Sequence, residues 1–189
     1  MKHIKNLKDF LNEAIVNNIN VYYHGSKYYF DNFCNDNKDI SGKTGGDEYS
    51  YGTYLTPHKN IALHYAKNTH YLYTVKLKNK LNFLSDVKKV SKTNLEKIRN
   101  MFIINDFEDS KGNKMSNEHK LFIINNIIKD SKNGLDLYNK ILRIFTINDK
   151  QLSEMLENSG INGLIGNEET EIIIYNPLNI EIISIEKLS

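Results

Sequence analysis

The chain has 189 residues, 40% hydrophobic and 25% charged, with a net charge of +2 and a pI near 8.4. That length suits one domain with a real core, and no run approaches the roughly 18 apolar residues of a membrane helix, so a soluble globular chain is expected and a membrane role is excluded. Lys and Arg (25) nearly balance Asp and Glu (23), which names no nucleic-acid partner. The single cysteine, Cys34, rules out an internal disulfide and a cysteine-rich metal site and fits a reducing compartment, the cytoplasm. The N-terminus has neither the apolar core nor the small-residue cleavage site of a secretory signal.

Ile4, Leu7, Phe10, Leu11 and Ile15 recur at helical spacing, which predicts an amphipathic helix over residues 4 to 16 within an N-terminal segment, 1 to 18. Residues 20 to 24 read as a strand ended by Gly25-Ser26, and Asn35 to Ser50, polar and without periodicity, as a loop. Tyr54-Leu55-Thr56 is a short strand; Pro57 suits a first helical turn, and Ile61, Ala62, Tyr65 and Ala66 give that helix its apolar face. From His70 to Leu77 the chain alternates, with Tyr71, Tyr73, Val75 and Leu77 on one face of a strand. Between Val87 and Ser159 the period turns helical, through Leu95, Ile98, Met101 and Phe102, then Leu121, Phe122, Ile124, Asn125 and Ile128, then Leu135, Leu137, Ile141, Leu142 and Phe145, then Leu152, Met155 and Leu156. Lys111-Gly112-Asn113 and Lys132-Asn133-Gly134 punctuate that block. Gly160-Ile161-Asn162-Gly163-Leu164-Ile165-Gly166 returns to turn and strand chemistry, followed by strands from Glu171 and from Ile180 to Ile185. Strands in the outer thirds and helices between them predict an α+β domain over residues 19 to 189 with a helical insertion at about 87 to 159.

Glu171 opens the apolar run Glu171-Ile172-Ile173-Ile174-Tyr175-Asn176-Pro177. Burying an unpaired carboxylate is costly, so Glu171 is either an exposed strand end or a working group. His24 by itself reads as a hydrogen-bonded structural histidine; Gly25 after it leaves the backbone open to close approach by a ligand, with the imidazole beside it. Tyr54 and Tyr65 alone read as core or rim aromatics, and with His24-Gly25 they can wall a slot for a flat aromatic ring. Cys34 has no neighbouring base and reads as filler.

Together, Tyr22-Tyr23-His24-Gly25-Ser26, Gly52-x-Tyr54 with Tyr65 eleven residues on, and Glu171-x-x-x-Tyr175-x-Pro177 resemble the His-Tyr-Glu class of ADP-ribosyltransferases, which includes diphtheria-type toxins and the poly(ADP-ribose) polymerases. Gly160-Ile161-Asn162-Gly163 is similar to the Gly-Tyr-Asp-Gly turn of bacterial and phage members. The resemblance implies an ADP-ribosyltransferase-like split β-sandwich and a mono-ADP-ribosyltransferase that consumes NAD as a substrate, with no resident cofactor. It implies a catalytic Glu171 that bonds the 2-hydroxyl of the nicotinamide ribose and stabilises the cationic sugar as nicotinamide leaves. His24 would bind the adenosine-side ribose, Gly25 the nicotinamide carboxamide through its backbone, and Tyr54 and Tyr65 the two faces of the nicotinamide ring, with Ser26 in the same NAD-binding set. Polymerase members carry a serine where this chain has Ala62, a departure that implies either weaker nicotinamide binding or help from Thr56. The arginine-targeting class ends in Glu-x-Glu, which Glu169-Thr170-Glu171 matches; with His24 and no arginine on the first strand the His-Tyr-Glu assignment stands, and Glu169 is read as facing and orienting the acceptor.

Ser41-Gly42-Lys43-Thr44 invites a phosphate-loop reading, but the first glycine of that pattern falls on Asn37. His58, His64, His70 and His119 lack ligand spacing with Asp, Glu or Cys, so no metal site is expected. Met1 to Ala14 resembles the capsid-targeting peptides of T-even-type bacteriophages, with Leu11-Asn12-Glu13 as the cut site before Ala14; packing of this helix on the domain is the other reading. A targeting peptide would imply a bacteriophage enzyme packaged in the virion head and delivered to the host cytoplasm. The implied partners are NAD and an acceptor macromolecule, a protein before a nucleic acid. Same-fold alternatives are an NAD glycohydrolase or an RNA 2-phosphotransferase, and a different class is a non-catalytic phage head or internal binding protein.

Overall fold

A computed structural model describes residues 21–33, 51–67, 70–108, 112–145, 147–166 and 168–188. The expected N-terminal segment, Cys34, the loop from Asn35 to Ser50 and the Ser41–Thr44 pattern lie outside these residues. In chain order the elements are β1 (Val21–Ser26), β2 (Thr53–Leu55), α1 (Lys59–Tyr65), β3 (Tyr71–Leu77), β4 (Phe83–Ser85), α2 (Lys92–Ile104), α3 (Asn117–Asp130), α4 (Gly134–Phe145), α5 (Asp149–Asn158), β5 (Gly163–Gly166), β6 (Glu171–Ile174) and β7 (Ile180–Lys187), with a 3-10 turn at Pro177–Asn179. None of the described helices is long and apolar enough to cross a membrane.

The strands form two sheets, β1-β3-β7 and β2-β6-β5-β4, which makes the fold α+β. All their pairings are antiparallel except β4 with β5. Among the described residues the sheets are joined by a bridge, where Tyr23 N–H donates to Thr56 O at 2.8 Å and Thr56 N–H to Tyr23 O at 3.0 Å. Leu55, Tyr73, Val75, Ile172, Ile174 and Ile180, joined by Phe30 and Phe33, make a buried cluster to which both sheets contribute. Tyr71, Tyr73, Val75 and Leu77 all face this cluster, as the period of two requires.

A larger cluster lies between the helices and the other face of the second sheet, and it includes Ile98, Phe102, Ile124, Leu137, Ile141, Leu156, Ile173 and Tyr175. Each such residue contributes about 1.5–3 kcal/mol by leaving water. Strand β6 serves both clusters, Ile172 and Ile174 on one side and Ile173 on the other. A strand covered on both faces reads as an unbroken apolar run instead of alternating.

Strand β7 carries a bulge: Thr74 aligns with Ser184 but Val75 with Ile182, which leaves Ile183 out of register. The extra residue lets Ile182 and Ile185, three apart, both pack on the inter-sheet cluster, with Ile183 half-exposed.

Three points differ from the sequence expectation. Strand β1 does not stop at His24 but runs through Gly25 and Ser26, which pair with Leu72 and Tyr71. Pro57 precedes α1 by two residues, with His58 at its N-cap. The Lys132-Asn133-Gly134 punctuation separates α3 from α4 as the sequence suggests, with Gly134 the buried first residue of α4, where an added Cβ would sit 2.6 Å from the Ser85 backbone nitrogen. On α3 the expected apolar Phe122 is exposed and Lys120 is buried, because the Lys120 Nζ donates to Asn105 O at 2.8 Å and Ile103 O at 3.4 Å at the carbonyl-rich end of α2. Four of the five described helices are capped by side chains: Ser91 for α2, Ser116 for α3, Asn133 for α4, whose Oδ1 accepts from Asp136 N–H at 2.8 Å, and Asn148 with Gln151 in a capping box for α5.

Candidate active site

Glu171 begins β6 opposite Gly166, and its side chain is 8% exposed. The Tyr65 hydroxyl, at the end of α1, donates to Glu171 Oε1 at 3.1 Å, joining residues 106 apart in sequence. Tyr65 itself is 52% exposed, so a buried carboxylate and an accessible aromatic ring meet at one point. Ladder register extends the group: Leu55 pairs with Ile172, so Thr56 lies level with Glu171, and Tyr54 pairs with Ile173. The Tyr54 ring packs against the helical cluster.

His24 is fixed by the same strand. Its Nδ1 lies 2.8 Å from Tyr54 O; a carbonyl only accepts, so Nδ1 carries the proton and Nε2 the lone pair. Burial pulls the imidazole pKa down, against a smaller upward pull from the Tyr54 bond, so the ring is neutral at pH 7. Nε2 is buried with no hydrogen-bond partner among the described residues. Phe33, Tyr73 and Phe30 surround the ring, with centroids at 5.4, 6.0 and 6.1 Å.

At Gly25 the close approach expected for a ligand is made by the protein itself. A Cβ there would lie 2.0 Å from Ala62 O and 2.7 Å from Ala66 N, so α1 packs directly on the strand backbone. Side-chain freedom is thus spent on the helix that carries Tyr65. The Gly25 backbone groups have a different role. Tyr23 spends its N–H and C=O on Thr56, away from β3, and strand geometry turns those of Gly25, two residues on, the same way, toward the edge beyond the bridge.

The two expected hydroxyl contacts are engaged locally. Ser26 Oγ accepts from Tyr28 N–H at 3.1 Å, and Thr56 Oγ1 accepts from His58 N–H at 3.1 Å. Both residues are buried. Glu169 sits in the turn between β5 and β6 and is paired with Lys88 at the surface.

Three further residues hold this geometry in roles that the sequence reading did not assign them. Tyr73 accepts from Phe30 N–H at 2.8 Å and donates to Tyr28 O at 3.1 Å, folding the chain after β1 back across His24; burial foremost pushes its phenol up to about 12. Asn162, inside the Gly160–Gly163 turn, accepts from Asn82 N–H at 3.0 Å, donates to Glu157 Oε2 at 3.0 Å and receives Tyr175 N–H on its carbonyl at 3.0 Å. It ties α5 and the start of β4 to the end of β6. Gly163 beside it admits no side chain, since a Cβ would lie 2.0 Å from Ile173 O. Asp86, which follows β4, accepts from Glu168 N–H at 3.0 Å. Composition offers no cue for Tyr73 or Asp86; Asn162 at least lies in a recognisable turn.

Chemically, the cluster offers a carboxylate held by a phenol, a half-exposed ring, a neutral imidazole and two edge-directed backbone groups. Such a set suits a flat polar ring and a developing positive charge beside Glu171. A scan against protein-family models, a search of curated proteins and a search of solved structures each return no match for the chain.

Proposed function

We propose that the chain is a mono-ADP-ribosyltransferase of the His-Tyr-Glu type, with an ADP-ribosyltransferase-like split β-sandwich, that cleaves NAD and transfers ADP-ribose to a macromolecular acceptor. The observation that carries the reading is the 3.1 Å bond from Tyr65 to the buried Glu171, which joins the second and third resemblance motifs. His24, bonded to the Tyr54 carbonyl at 2.8 Å, ties the first motif to the second.

On this reading the nicotinamide ring stacks on Tyr65, and its carboxamide takes the edge-directed N–H and C=O of Gly25. The bond from ribose C1 to the pyridinium nitrogen breaks, its electron pair neutralises the ring, and nicotinamide leaves. Glu171 accepts a hydrogen bond from the ribose 2-hydroxyl and offsets the charge of the oxocarbenium-like sugar, at a place already screened from water. An acceptor nucleophile then bonds C1 and loses its proton. Glu169, two residues before Glu171 and on the solvent side, is the group that orients that acceptor, with Lys88 as its resting partner.

The test is nicotinamide release from NAD by wild type and Glu171→Gln, with and without bacterial lysate. Glutamine keeps the shape and removes the charge, so turnover falls by about 10²–10³. Stimulation by lysate distinguishes transfer to an acceptor from glycohydrolysis. No release by folded wild type sinks the enzyme reading in favour of a binding role.

A further inference from the structure

The turn that leads into Glu171 is built against the grain of its sequence. Glu168 and Glu169 have φ of 54° and 70°, the left-handed region in which a side chain is penalised and which hairpin turns normally fill with Gly or Asn. Backbone of this kind persists only where its surroundings over-determine it.

The surroundings here come from the segment after β4. Asp86 N–H donates to Ile165 O at 2.9 Å, extending the β4–β5 ladder by one rung and fixing the aspartate backbone. From there its Oδ2 takes the Glu168 N–H at 3.0 Å, while Lys88 pairs with Glu169. Ser85 Oγ accepts from both Val87 N–H and Lys88 N–H at 3.2 Å, which holds the 85–88 bend. Asn133, just before α4, donates to the Asp86 carbonyl. The other carboxylate oxygen, Oδ1, is buried with no partner among the described residues.

Resting on the functional reading above, we infer that Asp86 is a positioning residue: it braces the strained turn from below and so sets where the Glu171 carboxylate stands relative to bound NAD. Through Asn133 it also gives the helical block a part in the reaction, as the footing of that brace. Asp86 touches neither substrate nor reacting atoms; its effect reaches C1 only through the turn.

Three variants, Asp86→Ala, Asp86→Asn and Asp86→Ala/Glu168→Gly, are compared for nicotinamide release and for exchange of the Glu168 amide hydrogen by NMR, each checked for a native melting profile. Asp86→Ala lowers kcat about 10- to 100-fold with KM for NAD little changed, the scale of loss for misplacement by about 1 Å. Asp86→Asn retains a carbonyl oxygen for the Glu168 amide and stays near wild type. Glu168→Gly removes the penalty on positive φ, so the double variant recovers part of the loss, which a general loss of stability would not give. A folded Asp86→Ala enzyme with wild-type kcat overturns the inference, as does an unrescued double variant. If wild type releases no nicotinamide, the functional reading falls and the positioning role with it; faster Glu168 exchange in Asp86→Ala then still establishes the brace, and unchanged exchange removes that too.

Discussion

Replacing Gly25 with alanine tests the join between fold and site at one atom. The new methyl carbon would sit 2.0 Å from Ala62 O and 2.7 Å from Ala66 N, two atoms that bond each other at 3.0 Å in the last turn of α1. Ordinary contact begins at 3.4 Å, so the helix must recede by about 1.4 Å, the difference from 2.0 Å. Tyr65 rides on that helix, and the same recession carries its hydroxyl from 3.1 Å past hydrogen-bond range of Glu171. Overpacking of this kind costs about 1–3 kcal/mol, and in a chain this size each kcal/mol lowers Tm by about 2–4 °C. Gly25→Ala should therefore melt about 2–12 °C lower and release nicotinamide more slowly. Tyr65→Phe, which deletes the hydroxyl without moving the helix, should match it in rate while melting close to wild type. A Gly25→Ala protein with wild-type Tm and turnover refutes the reasoning, because the contact on which Tyr65 placement rests would then be dispensable.

Acid sensitivity follows from His24, whose folded pKa lies below the ordinary 6.5 because of burial. The unfolded chain binds the extra proton once pH drops under about 6.5, so this group leaves stability level above that pH and erodes it below, by at most about 1.4 kcal/mol per pH unit. Denaturation midpoints between about pH 8 and pH 5 should show a shallower acid decline in His24→Gln than in wild type, and parallel curves would contradict the assignment. Asn162→Ala strands Asn82 N–H and one Glu157 oxygen; a loss of about 2–4 kcal/mol is expected in urea unfolding with the m-value unchanged, and a loss under about 1 kcal/mol would show that water satisfies both groups.

What the sequence displayed and what it hid divide along one physical line. Periodicity reports burial, so the helices and the two-sided β6 were legible, and with β6 the odd carboxylate at its mouth. Partners distant in the chain leave no such trace. Strand β4 is three residues long and pairs in parallel with β5, so no alternation marks it. Lys120 and Phe122 exchange the places that a hydropathy pattern assigns because the carbonyls that accept the lysine belong to another helix. Gly25 was read as open to a ligand, and on the side where a Cβ would stand the space is taken by Ala62. Tyr73 and Asp86 act on partners 43 and 82 residues away, where a single sequence holds no record of the pairing.

The interleaving of strands also sets a timetable for synthesis. One sheet waits for β7 and the other for β5 and β6, while the helices between them pack largely on one another. At about 5–20 residues per second, roughly 6–24 s pass between the emergence of Tyr65 and that of Lys187. During that interval the apolar face of β3 has no complete sheet to cover it, and Tyr65 has no Glu171 to hold. The growing chain therefore carries that face uncovered through its middle third, and the Tyr65–Glu171 contact forms only once β6 has emerged.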